Sequence, residues 1–165
     1  MLSLADVQAA QARLRSVTKV TPLLYADSVS QEAGHPVYLK CENLQRGGAF
    51  KLRGAYNKVS ALSDAEKKRG VIAHSSGNHA IAVAYACKLL GVKAVIVIPQ
   101  NAVETKVQQT LSYGAEVVRC GPSSQDREET ARALQEKHNY VLVHPINDLV
   151  VMAGQGTAGL EITDA

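Results

Sequence analysis

Beyond Gly70 the chain repeats one unit, and this repeat limits the possible folds more than any other feature. Short apolar strands are expected near Val71 to Ala73, Ala94 to Ile98, Glu116 to Arg119 and Tyr140 to Val143. They alternate with helical patterns near Asn78 to Leu90, Val103 to Tyr113 and Gln125 to Lys137. The strands start 22 to 24 residues apart, close to the length of a strand plus a crossover helix. Near-continuous apolar strands are expected where helices cover both faces of a parallel sheet. The predicted class is α/β: an open parallel sheet with helices on both faces.

The segment before Gly70 does not share this repeat. Ser3 can cap a helix in which Leu4, Val7, Ala10, Leu14 and Val17 recur at helical spacing, and Thr21-Pro22 then forces the backbone extended. Pro36 to Cys41 reads as a strand, followed by a polar loop from Glu42 to Gly48 and a helical pattern from about Leu52 to Leu62. Lys51 therefore lies where a loop runs into a helix. Lys67-Lys68-Arg69, just before Gly70, is placed in the last turn of a helix, where cations suit the negative end of the dipole.

That triplet is the longest basic block in a chain of net charge +3, so nucleic acid is not implied as a partner. Cys41, Cys87 and Cys120 are odd in number and widely separated, which argues against a disulfide framework or a zinc site. His35, His74, His79, His138 and His144 show no metal-ligand spacing. The longest apolar run, Ala94 to Ile98, is far too short to span a bilayer, and no charged segment precedes an apolar stretch at Met1. The expectation is a soluble cytoplasmic protein without metal, membrane or nucleic-acid partner.

In open parallel sheets ligands bind beyond the carboxyl ends of the strands. The loop His74-Ser75-Ser76-Gly77-Asn78-His79 turns small residues with free backbone N–H groups into a helix N-terminus, a ready site for a carboxylate or phosphate. Ser76 and Asn78 add a hydroxyl and an amide, and Gly77 permits a close approach that a side chain would block. The competing reading is that Ser75, Ser76 and Asn78 merely cap the helix. His144-Pro145, after the last strand, reads as a loop turn placed toward the same mouth.

The second feature is Gly47-Gly48-Ala49-Phe50-Lys51-Leu52-Arg53-Gly54-Ala55, a flexible segment ending in one lysine between apolar Phe50 and Leu52. Burial lowers the pKa of an amine and raises the neutral fraction able to attack a carbonyl and form a Schiff base. Taken alone, a solvated structural lysine is the ordinary alternative.

Together with Thr21-Pro22-Leu23, Lys40-Cys41-Glu42-Asn43-Leu44-Gln45, Tyr113-Gly114-Ala115 and Ala153-Gly154-Gln155-Gly156-Thr157, these two segments occur in the order found in one family. The chain resembles the fold type II pyridoxal-phosphate enzymes, in particular the serine/threonine dehydratases (threonine ammonia-lyases) and serine racemase. The resemblance implies a tryptophan synthase β-like fold and pyridoxal 5'-phosphate as cofactor. It divides the chain into 1–58 as the start of a large domain, 59–146 as a small α/β domain, and 147–165 as a helix returning to the large domain.

By this resemblance Lys51 holds the cofactor and handles the substrate's α-proton, Phe50 packs against the pyridine ring, and Asn78 reaches the ring hydroxyl. Ser75, Ser76, Gly77, Asn78 and His79 form the substrate loop, and Ser76 is the acid/base on the opposite face in racemase members. The implied substrate is a small amino acid, L-threonine or serine. Elimination of its β-hydroxyl gives a 2-oxo acid and ammonia, and reprotonation from the other face gives the opposite enantiomer. A homodimer, or association with a full-length relative, is implied as well.

Two departures stand out. Ala49 replaces a serine common in the family. The family's second half, with its glycine-rich phosphate loop, has no counterpart in these 165 residues, so the chain alone is expected to turn over little unless another polypeptide supplies the remainder. The main alternative is a non-catalytic module that binds an amino acid or a partner. Gly154-Gln155-Gly156-Thr157-Ala158-Gly159 matches G-x-G-x-x-G, but without a preceding strand it is better read as close backbone packing at a helix start. Ser76 lacks the G-x-S-x-G turn of a hydrolase.

Overall fold

The computed structural model describes all 165 residues. Four strands, β3 (Val71–His74), β4 (Ala94–Pro99), β5 (Glu116–Cys120) and β6 (Val141–Leu142), form one parallel sheet in the order β5-β4-β3-β6. The crossover helices are α5 (Asn78–Leu90), α6 (Glu104–Ser112) and α7 (Ser124–His138). Residues alternate between the two faces of each strand. Val71 and Ala73 of β3, with Ala94, Ile96 and Ile98 of β4, join the larger core under α5 and α6. Ile72, Val95 and Val97 point the other way, onto Ala131 of α7 and Tyr140. Helices on both faces are why β4 is apolar at every position and β3 as far as Ala73.

The last strand is shorter than its apolar run suggests. Only Val141 and Leu142 pair with β3, although the Val143 N–H still donates to Ile72 O. The chain then turns away into the His144–Asp148 loop. β4 and β5 add on one side of β3 and β6 on the other, so the winding reverses at β3. A crevice between loops is expected at such a reversal.

The N-terminal segment contains α1 (Leu4–Leu14), β1 (Leu23–Tyr25), α2 (Asp27–Ala33), β2 (Tyr38–Lys40), α3 (Lys51–Ser60) and α4 (Asp64–Arg69). Ser3 caps α1 through a reciprocal box with Asp6, and Ser63–Glu66 and Ser123–Asp126 do the same for α4 and α7. Lys67, Lys68 and Arg69 occupy the last turn of α4, as their charge requires. The expected strand after Pro36 narrows to β2, which pairs antiparallel with β1 in a separate sheet. The loop from Glu42 tightens into two short 3-10 turns, Glu42–Leu44 and Arg46–Gly48.

The final helix, α8 (Leu149–Thr163), is capped by Asp148, whose Oδ1 accepts from the Val150 and Val151 amides. It corrects one expectation: Gly154, Gly156 and Gly159 lie inside α8, not at a helix start. Gly154 is the position of closest approach, since a Cβ there would stand 2.5 Å from Arg53 O and 2.7 Å from Gly54 Cα. The two backbones pack at this crossing because neither side carries a side chain. Asn57 of α3 is fully buried and ties three helices together, donating to Val150 O at 2.8 Å and accepting from Arg13 Nη1 at 3.1 Å. Helix α5 carries alanines at 80, 82, 84 and 86, all buried, so α3 can pack directly on it.

Candidate functional site

Three segments meet at the carboxyl end of the sheet: the start of α3, the loop after β3, and the loop after β6. Phe50 is the N-cap residue of α3 and Lys51 its first residue, reached through Gly47 and Gly48, both at positive φ. Those two angles fold the loop tightly enough to present Lys51 toward the sheet. Leu52 is buried while Phe50 is 41% exposed, so the apolar flanks of the lysine differ, one anchoring the helix and the other open.

Lys51 Nζ donates to Pro145 O at 2.9 Å and lies 5.2 Å from the centroid of the Phe50 ring. Half-burial pushes the pKa of its amine below that of a solvated lysine. No carboxylate pairs with it to oppose that shift. Lys51 is thus partly buried rather than fully solvated.

The loop after β3 runs through His74, Ser75, Ser76 and Gly77 into α5. Gly77 is the N-cap and offers no side-chain acceptor, so none of Ser75, Ser76 or Asn78 caps the helix. Ser75 Oγ instead accepts from the Gly77 N–H at 3.3 Å, one step before the helix begins. The first-turn N–H groups of α5 have no carbonyl within the helix to bond, and a Cβ at Gly77 would meet nothing within 4 Å. Free donors and open space are what an incoming carboxylate needs.

The side chains of this loop are spread among different partners. Asn78 Oδ1 accepts from Lys106 Nζ at 3.2 Å, and Ser76 Oγ accepts from Arg127 Nη1 at 3.5 Å. His79 turns inward, 3% exposed, with Nε2 2.9 Å from Val143 O. A carbonyl can only accept, so Nε2 carries the proton, and the buried Nδ1 has no partner. Burial first, then the nearby charge of Lys51, drives the His79 pKa down to about 4 against one bond that favours the cation. His79 is thus a neutral strut between α5 and the sheet, and only its backbone N–H faces the helix mouth.

Across the crevice, the rings of His74 and His144 meet edge to face with centroids 5.7 Å apart. Burial, and then His144, lower the His74 pKa. With Ser75, Arg127 and Pro145 they line a cleft of about 240 Å³. The structure brings Lys51 to the loop after β6 and sets that loop beside the loop after β3. It forms no direct hydrogen bond between Lys51 and Ser75, Ser76 or Asn78.

Sequence reasoning missed the buried cluster behind Lys51. Arg53 is 1% exposed and pairs with Glu42 and Glu161, and Lys40 Nζ lies 2.6 Å from Glu161. One signal was available: an arginine two residues after the lysine, in a segment otherwise of small and apolar residues, has to be neutralised by partners from elsewhere.

A family model described as pyridoxal-phosphate dependent enzyme matches residues 14–165. The L-threonine ammonia-lyase of Thermotoga maritima is 47% identical over 164 residues, covering 99% of this chain and 41% of the relative. The serine racemase of Dictyostelium discoideum is 40% identical over 163 residues, covering 99% of this chain and 50% of the relative. The chain thus spans about half the length of the curated relatives it matches. Among solved structures, maize serine racemase superposes with a TM-score of 0.94 at 41% identity, over 99% of this chain and 50% of that one. Both the parallel sheet and the lysine-bearing loop fall inside the matched residues, and the chain belongs to the pyridoxal-phosphate dependent enzyme family.

Proposed function

We propose that this chain is the lysine-bearing part of a threonine or serine ammonia-lyase, which eliminates the β-hydroxyl of a small hydroxy amino acid to give a 2-oxo acid and ammonia. The observation that carries this reading is Lys51 itself: a half-buried amine without a carboxylate partner, held at 2.9 Å by one carbonyl at the carboxyl end of the sheet. The residues present fit an aldehyde-bearing coenzyme. Lys51 would hold it, the exposed Phe50 ring would lie against it, and Asn78 would reach it from the opposite loop.

When bound, the pyridoxal ring supplies an electron sink that acidifies the substrate's α-carbon. The chain's own residues do the rest. The free N–H groups at the start of α5, with Ser75, Ser76 and Gly77, orient the substrate carboxylate. The Lys51 amine takes the α-proton, and its partial burial shifts it in the direction that favours the neutral form this task needs. In this reading 1–58 and 147–165 are parts of a large domain and 59–146 is the small one. The packing of α8 across α1 and α3 supports the first pairing.

A second reading, racemisation of serine, is favoured by one contact. Arg127 Nη1 is 3.5 Å from Ser76 Oγ, and a cation there eases loss of the hydroxyl proton, as an acid/base on the opposite face requires.

The test has two stages. Borohydride reduction with pyridoxal phosphate should fix the coenzyme on Lys51, read by peptide mass, and Lys51→Ala should fix none there. The chain joined to the carboxy-terminal half of a relative should then release 2-oxobutanoate from threonine or pyruvate from serine. Formation of D-serine without oxo acid would favour the second reading, and no fixation at Lys51 in the joined protein would overturn both.

A further inference from the structure

The loop after β6 is built around one imidazole. His144 Nδ1 accepts the N–H of Ile146 at 3.0 Å and the N–H of Asn147 at 2.8 Å. A nitrogen that accepts two amides carries no proton, so the ring proton resides on Nε2. The loop closes further through Asp148 N–H to Ile146 O at 3.0 Å. Upstream, Val143 is fixed twice, its N–H on Ile72 O and its carbonyl on His79 Nε2. Between the strand and the gathered amides stands Pro145, whose carbonyl takes the Lys51 Nζ hydrogen bond.

We propose that His144 is a positioning residue for Lys51: its Nδ1 gathers the Ile146 and Asn147 amides into a fixed turn, and that turn holds the Pro145 carbonyl against the lysine amine. The inference rests on the reading of Lys51 as the cofactor lysine for its chemical purpose, but not for its geometry. Proline contributes rigidity and no donor of its own, so the direction of its carbonyl is set by the residues on either side. Without the acceptor at position 144, two loop amides lose their partner and turn to water. The lysine then loses both its anchor and part of its cover. An amine that burial has made less basic returns toward ordinary basicity as water reaches it.

Asparagine is the informative replacement. Its side-chain oxygen accepts from amides two and three residues on, the same partners His144 uses, whereas alanine accepts from neither. The chain labelled with 13C at the lysine ε-carbons is titrated by NMR, with Lys51→Ala assigning the Lys51 signal. The wild-type Lys51 signal should titrate below the ordinary lysine value of 10.5. It should move back toward that value in His144→Ala and stay low in His144→Asn, with circular dichroism unchanged. Borohydride fixation of pyridoxal phosphate on Lys51 should slow several-fold in His144→Ala and recover in His144→Asn.

An unchanged Lys51 titration in His144→Ala, or an asparagine variant that behaves like alanine, overturns the proposal. Should His144→Ala fail to fold, the wild-type protein still decides. Its 15N spectrum should show the His144 proton on Nε2 with couplings from Nδ1 to the Ile146 and Asn147 amides, and a proton on Nδ1 would refute the turn. If the Lys51 titration responds as stated while no coenzyme is ever fixed, the cofactor reading fails and the positioning role stands.

Discussion

Arg53 and Glu161, separated by 108 residues, form a two-pronged ion pair, Nη1 at 2.7 Å from one carboxylate oxygen and Nη2 at 2.8 Å from the other. On its other side the guanidinium donates from Nε and Nη2 to Glu42, both at 2.8 Å, and Nη1 also reaches Thr157 Oγ1 at 3.1 Å. Arginine's planar fork gives two bonds to each of two carboxylates at once, a bidentate geometry that lysine's single ammonium does not offer. The pair joins the first turn of α3 to the end of α8. Lys51 stands two residues away, so the direction in which that amine leaves the helix is fixed from behind by buried charge.

Removing the guanidinium leaves two largely buried carboxylates facing each other with only Lys40 and Thr21 in reach. Breaking such a cluster by deleting one partner costs about 3 to 5 kcal/mol, because the remaining charges are left uncompensated. Arg53→Met should therefore lower the urea midpoint sharply. Burial alone would raise the Glu42 and Glu161 carboxyls, but the hydrogen bonds from Arg53 outweigh it and hold both below the ordinary glutamate range. A midpoint within experimental error of wild type would show that the cluster stabilises nothing.

Acid should destabilise the fold in an earlier window, through His79. Its folded pKa, about 4, lies below the ordinary 6.5 because burial disfavours the cation. Below 6.5 the unfolded chain binds a proton that the folded chain refuses, so this contribution is intact above 6.5 and is lost as pH falls toward 4. The slope in that window approaches about 1.4 kcal/mol per pH unit for one such group. His79→Gln, which keeps a donor for Val143 O, should flatten the slope between those limits in urea titrations at stepped pH. A slope unaltered by the replacement would assign it to other groups.

Much of this architecture can be read from local pattern. The apolar strands at regular intervals are legible in residues 71–143, and the cap at Ser3 and the basic last turn of α4 are legible before them. The neighbourhood of Lys51 is legible too, since a glycine pair, a lysine and a small-residue loop carry their own geometry. What escapes is long-range. Nothing near Glu161 announces that it closes on Arg53, and nothing near His144 announces that its ring gathers two amides. β1 and α2 escape for another reason. A three-residue strand and a seven-residue helix are too short for periodicity to rise above its surroundings, and their stability comes from what they pack on.

Cys87 should be silent toward alkylation while the chain is folded. It is buried in the larger core, and burial pushes its thiol up to about 12, so almost no thiolate exists at neutral pH. Cys41 and Cys120 are partly exposed. Iodoacetamide at pH 8 should therefore modify these two first and reach Cys87 only in denaturant. Equal rates at all three, resolved by peptide mass, would mean that α5 opens readily from the sheet.

The glycines of α8 separate two roles that look alike in sequence. At Gly159 a new methyl would meet nothing within 4 Å, so Gly159→Ala should stabilise by about 1 kcal/mol, the ordinary gain of alanine over glycine inside a helix. At Gly154 the same methyl would stand 2.5 Å from Arg53 O and 2.7 Å from Gly54 Cα. Backbone cannot rotate aside as a side chain can, so α8 must lift from α3; overpacking costs about 1 to 3 kcal/mol, and with backbone atoms this close the upper part of that range, above the helix gain, is expected. That displacement would also pull Glu161 from Arg53 and loosen the start of α3. Thermal unfolding of the two variants should move in opposite directions, and borohydride fixation at Lys51 should fall only in Gly154→Ala. Two shifts of the same sign would mean that the α3–α8 crossing has slack that the backbone distances do not suggest.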